Sequence, residues 1–322
     1  MTAFSPRGAT VLVTGAAMGM GRLYALRAAR AGAAAVALWD VDGEALSGVA
    51  AEVEASGTTA LARRVDVSSY DGVRQAAAEL TGAVGTVDLL INNAGIVRGG
   101  PFWEHDPVRD IGPVMAVNSL APMLITRELL PAMMADSSRQ RRILTIASAA
   151  GTLANPNMSV YAASKWAMIG WSDSLRLELQ AHGAAHLRVT TFCPSYVSTG
   201  MFAGVRPPLM TPLLSPEVAV DRAWHAMLAG RPIKLTPWTA VLARGLAGTM
   251  PTSAFDVVAG RIFKVYRSMD HFTGRTGGGA GEGMAGADVG TEGADGGPGT
   301  DKGTAGGSGG VAASVLGAGA RP

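Results

Sequence analysis

The chain has 322 residues, enough for one large α/β domain with a substantial core. Its single cysteine, Cys193, excludes an internal disulfide and points to a reducing, cytoplasmic setting. With 27 basic against 25 acidic residues spread along the chain, the net charge of +2 offers no basic stripe for nucleic acid or an anionic membrane.

The opening MTAFSPRGATVLVTG lacks the charged start, apolar stretch and small-residue cleavage site of a secretory signal. Gly, Arg, Asp or Pro interrupts every window before it reaches the roughly 18 apolar residues of a membrane span. His105, His182, His186, His225 and His271 are scattered without ligand spacing, so no metal is expected.

In chain order, short apolar runs alternate with stretches of helical length: ATVLVTG, GRLYALRAARAG, AAVALWD, GEALSGVAAEVEASG, ALARRVDV, YDGVRQAAAELTGAVG and VDLLINNAG. A long helix near 107–136, the strand RRILTIAS, a helix from about Ser159 to Gln180 and the strand LRVTTFCP continue the pattern. A helix near 216–229 and the strand PIKLTP bring the count to about seven strands, after a loop-rich excursion over 195–215. Near-continuous apolar strands separated by helices predict an α/β fold, a single doubly wound parallel sheet covered on both faces. The domain is expected over residues 1–273. Beyond it, 19 of the 49 residues from Gly274 onward are glycine and none is aromatic, so residues 274–322 are expected to be a disordered tail.

Strand one runs into TGAAMGMG, which places Gly15, Met18, Gly19, Met20 and Gly21 at a strand-to-helix turn whose amides can face a pyrophosphate. Nineteen residues after Gly21, strand two ends in Asp40, positioned to accept from the ribose hydroxyls of NAD and to repel the extra phosphate of NADP. No base stands beside it in sequence, where its neighbours are Trp39 and Val41. Arg22 is the nearby cation, and Asp40 as a helix cap is the plainer alternative.

YAASK sets Tyr161 and Lys165 four residues apart, on one helix face about 5–6 Å apart at Cβ. Bringing a phenol of pKa near 10 to neutrality takes about 4 kcal/mol. One ammonium at about 4 Å supplies about that in an effective dielectric near 20, so the pair suffices for acid–base work.

TGAAMGMG, Asp66-Val67, NNAG at 92–95, Asn118, Ser148, YAASK and PSYVST at 194–199 together resemble the short-chain dehydrogenase/reductase family, which has a Rossmann-type sheet. The resemblance spans about residues 8–235. It implies that Ser148 holds the substrate oxygen, Tyr161 exchanges its proton, Lys165 lowers the phenol pKa and binds the nicotinamide ribose, and Asn118 anchors a water relay. Asp66 and Val67 are then adenine contacts, Asn93, Ala94 and Gly95 flank the adenosine, and Pro194, Val197 and Thr199 approach the nicotinamide. Ser195 departs from the family's usual glycine. LWDVD, SKWAMIGWSDSLRLEL and RSMDHFTGR further resemble the branch of retinol and 17β-hydroxysteroid dehydrogenases.

Segments after strands four, five and six should line the substrate end. They supply Phe102, Trp103, Leu153, Met158, Tyr196, Met201, Phe202, Leu209, Met210 and Leu213, with Arg98 and Arg206 as cations. So apolar a lining favours a lipophilic alcohol or ketone. Residues 237–263 read as a lid or a peripheral membrane contact. The expected protein is an NAD(H)-dependent homo-dimer or homo-tetramer; a non-catalytic NAD-sensing scaffold on the same fold is the alternative.

Overall fold

A computed structural model of the chain describes residues 4–208 and 211–274. Of the glycine-rich tail expected over residues 274–322, all but Gly274 lies outside the described residues. So do Leu209 and Met210.

Among the described residues, β1 (Thr10–Thr14), β2 (Ala35–Asp40), β3 (Thr59–Arg64), β4 (Leu89–Asn92), β5 (Arg141–Ile146), β6 (Leu187–Pro194) and β7 (Ile233–Thr236) form one sheet in the order β3-β2-β1-β4-β5-β6-β7. Every pairing is parallel. The order reverses between β1 and β4, the switch point at whose carboxyl ends ligands bind in open parallel sheets.

Side chains alternate across each strand, so the sheet splits the apolar residues into two cores. Val11, Val13, Leu38, Ile91 and Phe192 face α1 (Gly19–Arg30), α2 (Gly43–Glu54) and a later helix over Pro216–Leu228. Leu12, Trp39, Leu90, Ile143 and Val189 face the opposite layer, containing α3 (Tyr70–Val84). Each fully buried side chain of this kind contributes about 1.5–3 kcal/mol. The outermost strand β3 departs from the expectation of strands covered on both faces. Its Thr59, Ala62 and Arg64 are exposed, because β3 ends the sheet and no strand among the described residues pairs with its outer edge.

The long helix expected near 107–136 is broken. Wide π turns over Pro107–Ile111 and Ala116–Leu120 flank α4 (Gly112–Met115) and lead into α5 (Ala121–Ala135). The second π turn carries Asn118, and such bulges re-aim a side chain that a regular helix would direct elsewhere. Next come α6 (Ser159–Ala181) and α7 (Pro216–Leu228), the latter capped by the Ser215 side chain, then α8 (Trp238–Thr249) and α9 (Thr252–Val257). No helix among the described residues is long and apolar enough to cross a membrane.

Candidate active site

The glycine turn forms as its spacing predicts. Gly15 has φ +65°, which a side chain disfavours, and a Cβ at Gly21 would stand 1.8 Å from the Gly15 carbonyl oxygen. Asn93 binds this turn to the end of β4: its Nδ2 donates to the Thr14 and Gly15 carbonyls at 3.0 and 3.1 Å. In return, Thr14 Oγ1 accepts from the Asn93 and Ala94 amides, both at 3.1 Å. Met18 precedes α1 and offers no side-chain oxygen to its first amides, a start suited to an anionic ligand.

Asp40 closes β2 beside the turn. Its carboxylate accepts from Ala17 N–H at 2.9 Å and Asp42 N–H at 3.1 Å, while the cap of α2 is Asp42. The sequence shows no base near Asp40, and here the structure corrects it. Arg64 pairs with Asp40 in the β2–β3 register and donates from Nε to the Val41 carbonyl at 3.0 Å. The two are far apart along the chain, so only strand pairing brings them together. Arg22, in contrast, is engaged by Glu52. Asp66 accepts from the Ser68 amide and hydroxyl at 2.9 and 2.7 Å, and Val67 is buried in the second core.

At the start of α6, Tyr161 and Lys165 lie buried on one face. Lys165 Nζ donates to the Ile146 carbonyl at 3.0 Å and stands 5.7 Å from the centre of the Tyr161 ring. Gly95 is small for a reason: a Cβ there would come 3.2 Å from Asn118 Oδ1 and 3.6 Å from Lys165 Nζ. Fully buried, Asn118 accepts from Ile96 N–H and donates to Ile96 O, both at 2.8 Å, and donates to Ser164 Oγ at 3.1 Å. Ser164 in turn donates to the Tyr161 carbonyl at 2.7 Å, so Asn118 fixes the turn of α6 that carries the tyrosine. Ser148 Oγ accepts from Ala150 N–H at 3.1 Å just beyond β5.

The electrostatics here depart from a simple two-charge picture. Burial pushes the Tyr161 phenol well above its usual range, against hydrogen bonding from Ser148. The same burial pushes Lys165 down to about 8. Lys165 is itself disfavoured as a cation by the same burial, so desolvation rules the phenol. Cys193, deep beside this group, is likewise pushed up to about 12 by burial.

A cavity of about 90 Å³ runs outward from Ser148, lined among others by Leu153, Met158, Tyr196, Phe202 and Ala240. Phe102, Trp103 and Leu213 do not line it: they are 57%, 84% and 50% exposed, because their loops turn outward from the strand ends. Met201 packs instead against the cluster around Tyr161. Arg98 is paired with Asp110 at 3.4 Å. From the segment expected as a lid, α8 places Thr239, Ala240 and Ala243 on the cavity, while Trp238, Val241 and Leu242 face outward.

Pro194 pairs with Thr236, Ser195 N–H donates to the Thr236 carbonyl, and Val197 bridges to Leu214. Thr199 comes over the start of α1, 3.6 Å from where a Gly19 Cβ would stand. Sequence reasoning used RSMDHFTGR only for its resemblance and placed no site residue in the stretch 265–274, whose Met269 packs with Val97, Met158 and Tyr161. Its sequence signal is two apolar residues, Met269 and Phe272, three apart among polar neighbours, too little to reveal a partner.

The sequence model of the short chain dehydrogenase family matches residues 9–209. Estradiol 17-beta-dehydrogenase 11 of Rattus norvegicus is 33% identical over 259 residues, covering 80% of this chain and 85% of that protein. Epidermal retinol dehydrogenase 2 of Mus musculus is 37% identical over 224 residues, covering 69% and 71%. A solved short chain dehydrogenase/reductase from Burkholderia phymatum in complex with NAD superposes with TM-score 0.69 and 27% identity, covering 77% of this chain and 95% of its own. A metagenomic short-chain oxidoreductase in complex with NADP gives 0.57 and 30%, covering 70% and 91%. With a match running from the first strand past the sixth and relatives above 30% identity, the chain belongs to the short-chain dehydrogenase/reductase family, in the branch of the retinol and 17β-hydroxysteroid dehydrogenases, oxidoreductases whose fold binds a nicotinamide dinucleotide.

Proposed function

We propose that the protein is an NAD-dependent oxidoreductase interconverting a lipophilic primary or secondary alcohol, of steroid, retinol or long-chain type, with its carbonyl. It would act in the cytoplasm as a homo-dimer or homo-tetramer. The observation that carries this reading is the buried group Ser148, Tyr161, Lys165 and Asn118, of which Ser148 lines the apolar cavity and Tyr161 packs against its wall residues Met158 and Phe202.

The turn suits a dinucleotide: a side chain at Gly21 would fill it, and Asn93 holds it open against β4. Gly15, Gly19 and Gly21 would face the pyrophosphate, Asp40 the ribose hydroxyls, and Asp66 and Val67 the adenine. When bound, the nicotinamide supplies the hydride acceptor or donor and, oxidised, one positive charge.

Tyr161 exchanges the proton of the substrate hydroxyl at its phenolic oxygen, and Ser148, oriented by Ala150 N–H, hydrogen-bonds the same oxygen. Lys165 is held in place by the Ile146 carbonyl, and its charge favours the phenolate. Because burial disfavours that phenolate, its formation would depend on the Lys165 charge on the same helix face.

The test is NADH absorbance with estradiol, retinol and 1-decanol, for wild type and Tyr161→Phe. NAD turnover is expected with at least one of these alcohols, and its rate should drop on the order of 10³-fold in the variant while NAD still binds. Wild type inactive with all three, or Tyr161→Phe within tenfold of wild type, overturns the reading.

A further inference from the structure

The segment Val265–Gly274 lies beyond the residues matched by the family model and folds back as a strap over the active site. Its Met269 is buried against Tyr161 and Met158, and Phe272 presses on Gly99, where a Cβ would come 2.5 Å from its ring. Backbone bonds from Arg206 N–H to Ser268 O at 3.1 Å and from Thr273 N–H to Ala203 O at 3.0 Å tie it to the loop after β6. Gly204 permits this approach. It has φ +81°, and a Cβ there would stand 2.0 Å from the His271 carbonyl oxygen.

One polar feature interrupts this greasy contact. Asn155 Nδ2 donates to the Tyr196 hydroxyl at 3.0 Å, and Ser268 Oγ donates to Asn155 Oδ1 at 3.5 Å. Ser268 has a single proton, so in the 2.7 Å contact between the two hydroxyls Tyr196 is the donor. The three side chains therefore close a ring of hydrogen bonds, each donating once and accepting once. They come from three segments: the loop after β5, the loop after β6 and the strap. From the ring, contact continues inward, with Tyr196 edge-on to Phe202 at 5.5 Å and Phe202 edge-on to Tyr161 at 5.9 Å.

We propose that Ser268 is a positioning residue for the active site: by closing the ring with Tyr196 and Asn155 it seats the strap, and through Tyr196 and Phe202 it sets the Tyr161 ring and the wall of the substrate cavity. Loss of its hydroxyl strands the Tyr196 proton and Asn155 Oδ1 together in a partly buried, apolar setting, so both side chains must turn to find new partners. Nothing in this arrangement touches the glycine turn, so the effect falls on the alcohol and not on the dinucleotide. The proposal rests on the alcohol-oxidising reading above.

The full-length protein is tested as wild type, Ser268→Ala, Ser268→Thr, Tyr196→Phe and the double variant Tyr196→Phe/Ser268→Ala, with NAD and the alcohols already named. In Ser268→Ala, kcat/KM for the alcohol is expected to fall at least tenfold with KM for NAD within twofold of wild type, and Ser268→Thr should restore kcat/KM to within threefold. The double variant should be no worse than Tyr196→Phe within twofold, because both single changes open the same ring. Trypsin cleavage after Lys264 and Arg267 should be faster in Ser268→Ala, at a temperature where wild type and variant are both folded. Unchanged kcat/KM in Ser268→Ala, or losses that multiply in the double variant, overturns the positioning role. If wild type oxidises none of the alcohols, the functional reading falls by itself; the cleavage rate then decides the ring, and a rate equal to wild type overturns it.

Discussion

The cofactor end and the substrate end of this sheet are built by different means. At the cofactor end, Gly15 to Gly21 are contiguous and follow a buried strand, and their partners Asn93 and Asp40 sit on the strand ends next to them. At the substrate end, the wall is gathered from loops after β5 and β6, from α8 and from the strap, segments up to 113 residues apart that meet through individual side chains. A motif carries the first, and convergence carries the second. A substitution at the cofactor end should therefore act on one ligand and on folding together, whereas one at the substrate end should loosen a wall that the sheet does not need.

The largest expected break is Gly21→Ala. Its Cβ would overlap the Gly15 carbonyl at 1.8 Å, backbone against backbone, so the turn must open. We expect a loss of about 3 kcal/mol in denaturant unfolding and no measurable NAD binding. Near-normal binding would mean that the glycine turn is not the dinucleotide site.

Lys165→Met probes the point where the two ends meet. Because Lys165 titrates at about 8 in the folded chain against an ordinary 10.5, the unfolded chain binds more protons between these values, and wild-type stability rises with pH across that window. Below about 8 the buried cation opposes folding in full, on the order of 3 kcal/mol. The variant should lose activity yet unfold at a higher denaturant concentration at pH 7, with the advantage shrinking toward pH 10.5. A variant less stable than wild type at pH 7 would show that the bond to Ile146 O outweighs desolvation.

At the substrate end, Gly204→Ala meets a carbonyl at 2.0 Å, almost as close as at Gly21, but the strap can lift away from it. The expected cost is smaller, about 1–2 kcal/mol, with kcat/KM for the alcohol down about tenfold and NAD affinity unchanged. Equal effects of Gly21→Ala and Gly204→Ala on NAD binding would erase the distinction between the two ends.

The smallest effect is one of preference. Asp40→Ala removes the carboxylate that would repel a 2′-phosphate, and Arg64, opposite Asp40 in the β2–β3 register, is the cation that would meet one. The ratio of kcat/KM for NAD over NADP should fall at least tenfold, about 1.4 kcal/mol, and Arg64→Ala in that background should reverse most of the change. Matched salt is needed, since such contacts are screened. An unaltered ratio would place the ribose elsewhere.

Reading the chain residue by residue reached the parallel sheet, its seven strands, the glycine turn and the Tyr161–Lys165 face, because each depends on a local period or a fixed spacing. Strand periodicity even anticipates the two cores, since Val11 and Leu12 must face opposite ways. It did not reach Arg64 beside Asp40, the outward turn of Phe102 and Trp103, or the direction of the Tyr161 shift. Arg64 needs strand register, the aromatics need the path of a loop, and the phenol needs a depth of burial, none of which is written in neighbouring residues. The π turn at Asn118 belongs with these, because a continuous helical pattern gives no sign of one extra residue in a turn.

What the sequence by itself determined is thus every feature enforced by backbone geometry over a few residues: strands, turn glycines and the four-residue step from Tyr161 to Lys165. Only the tertiary structure decided which distant hydroxyls would meet, as Tyr196, Asn155 and Ser268 do, and whether burial or charge would rule the phenol. Desolvation and three-body hydrogen bonding depend on atoms that approach through space, and the chain specifies that approach only by folding.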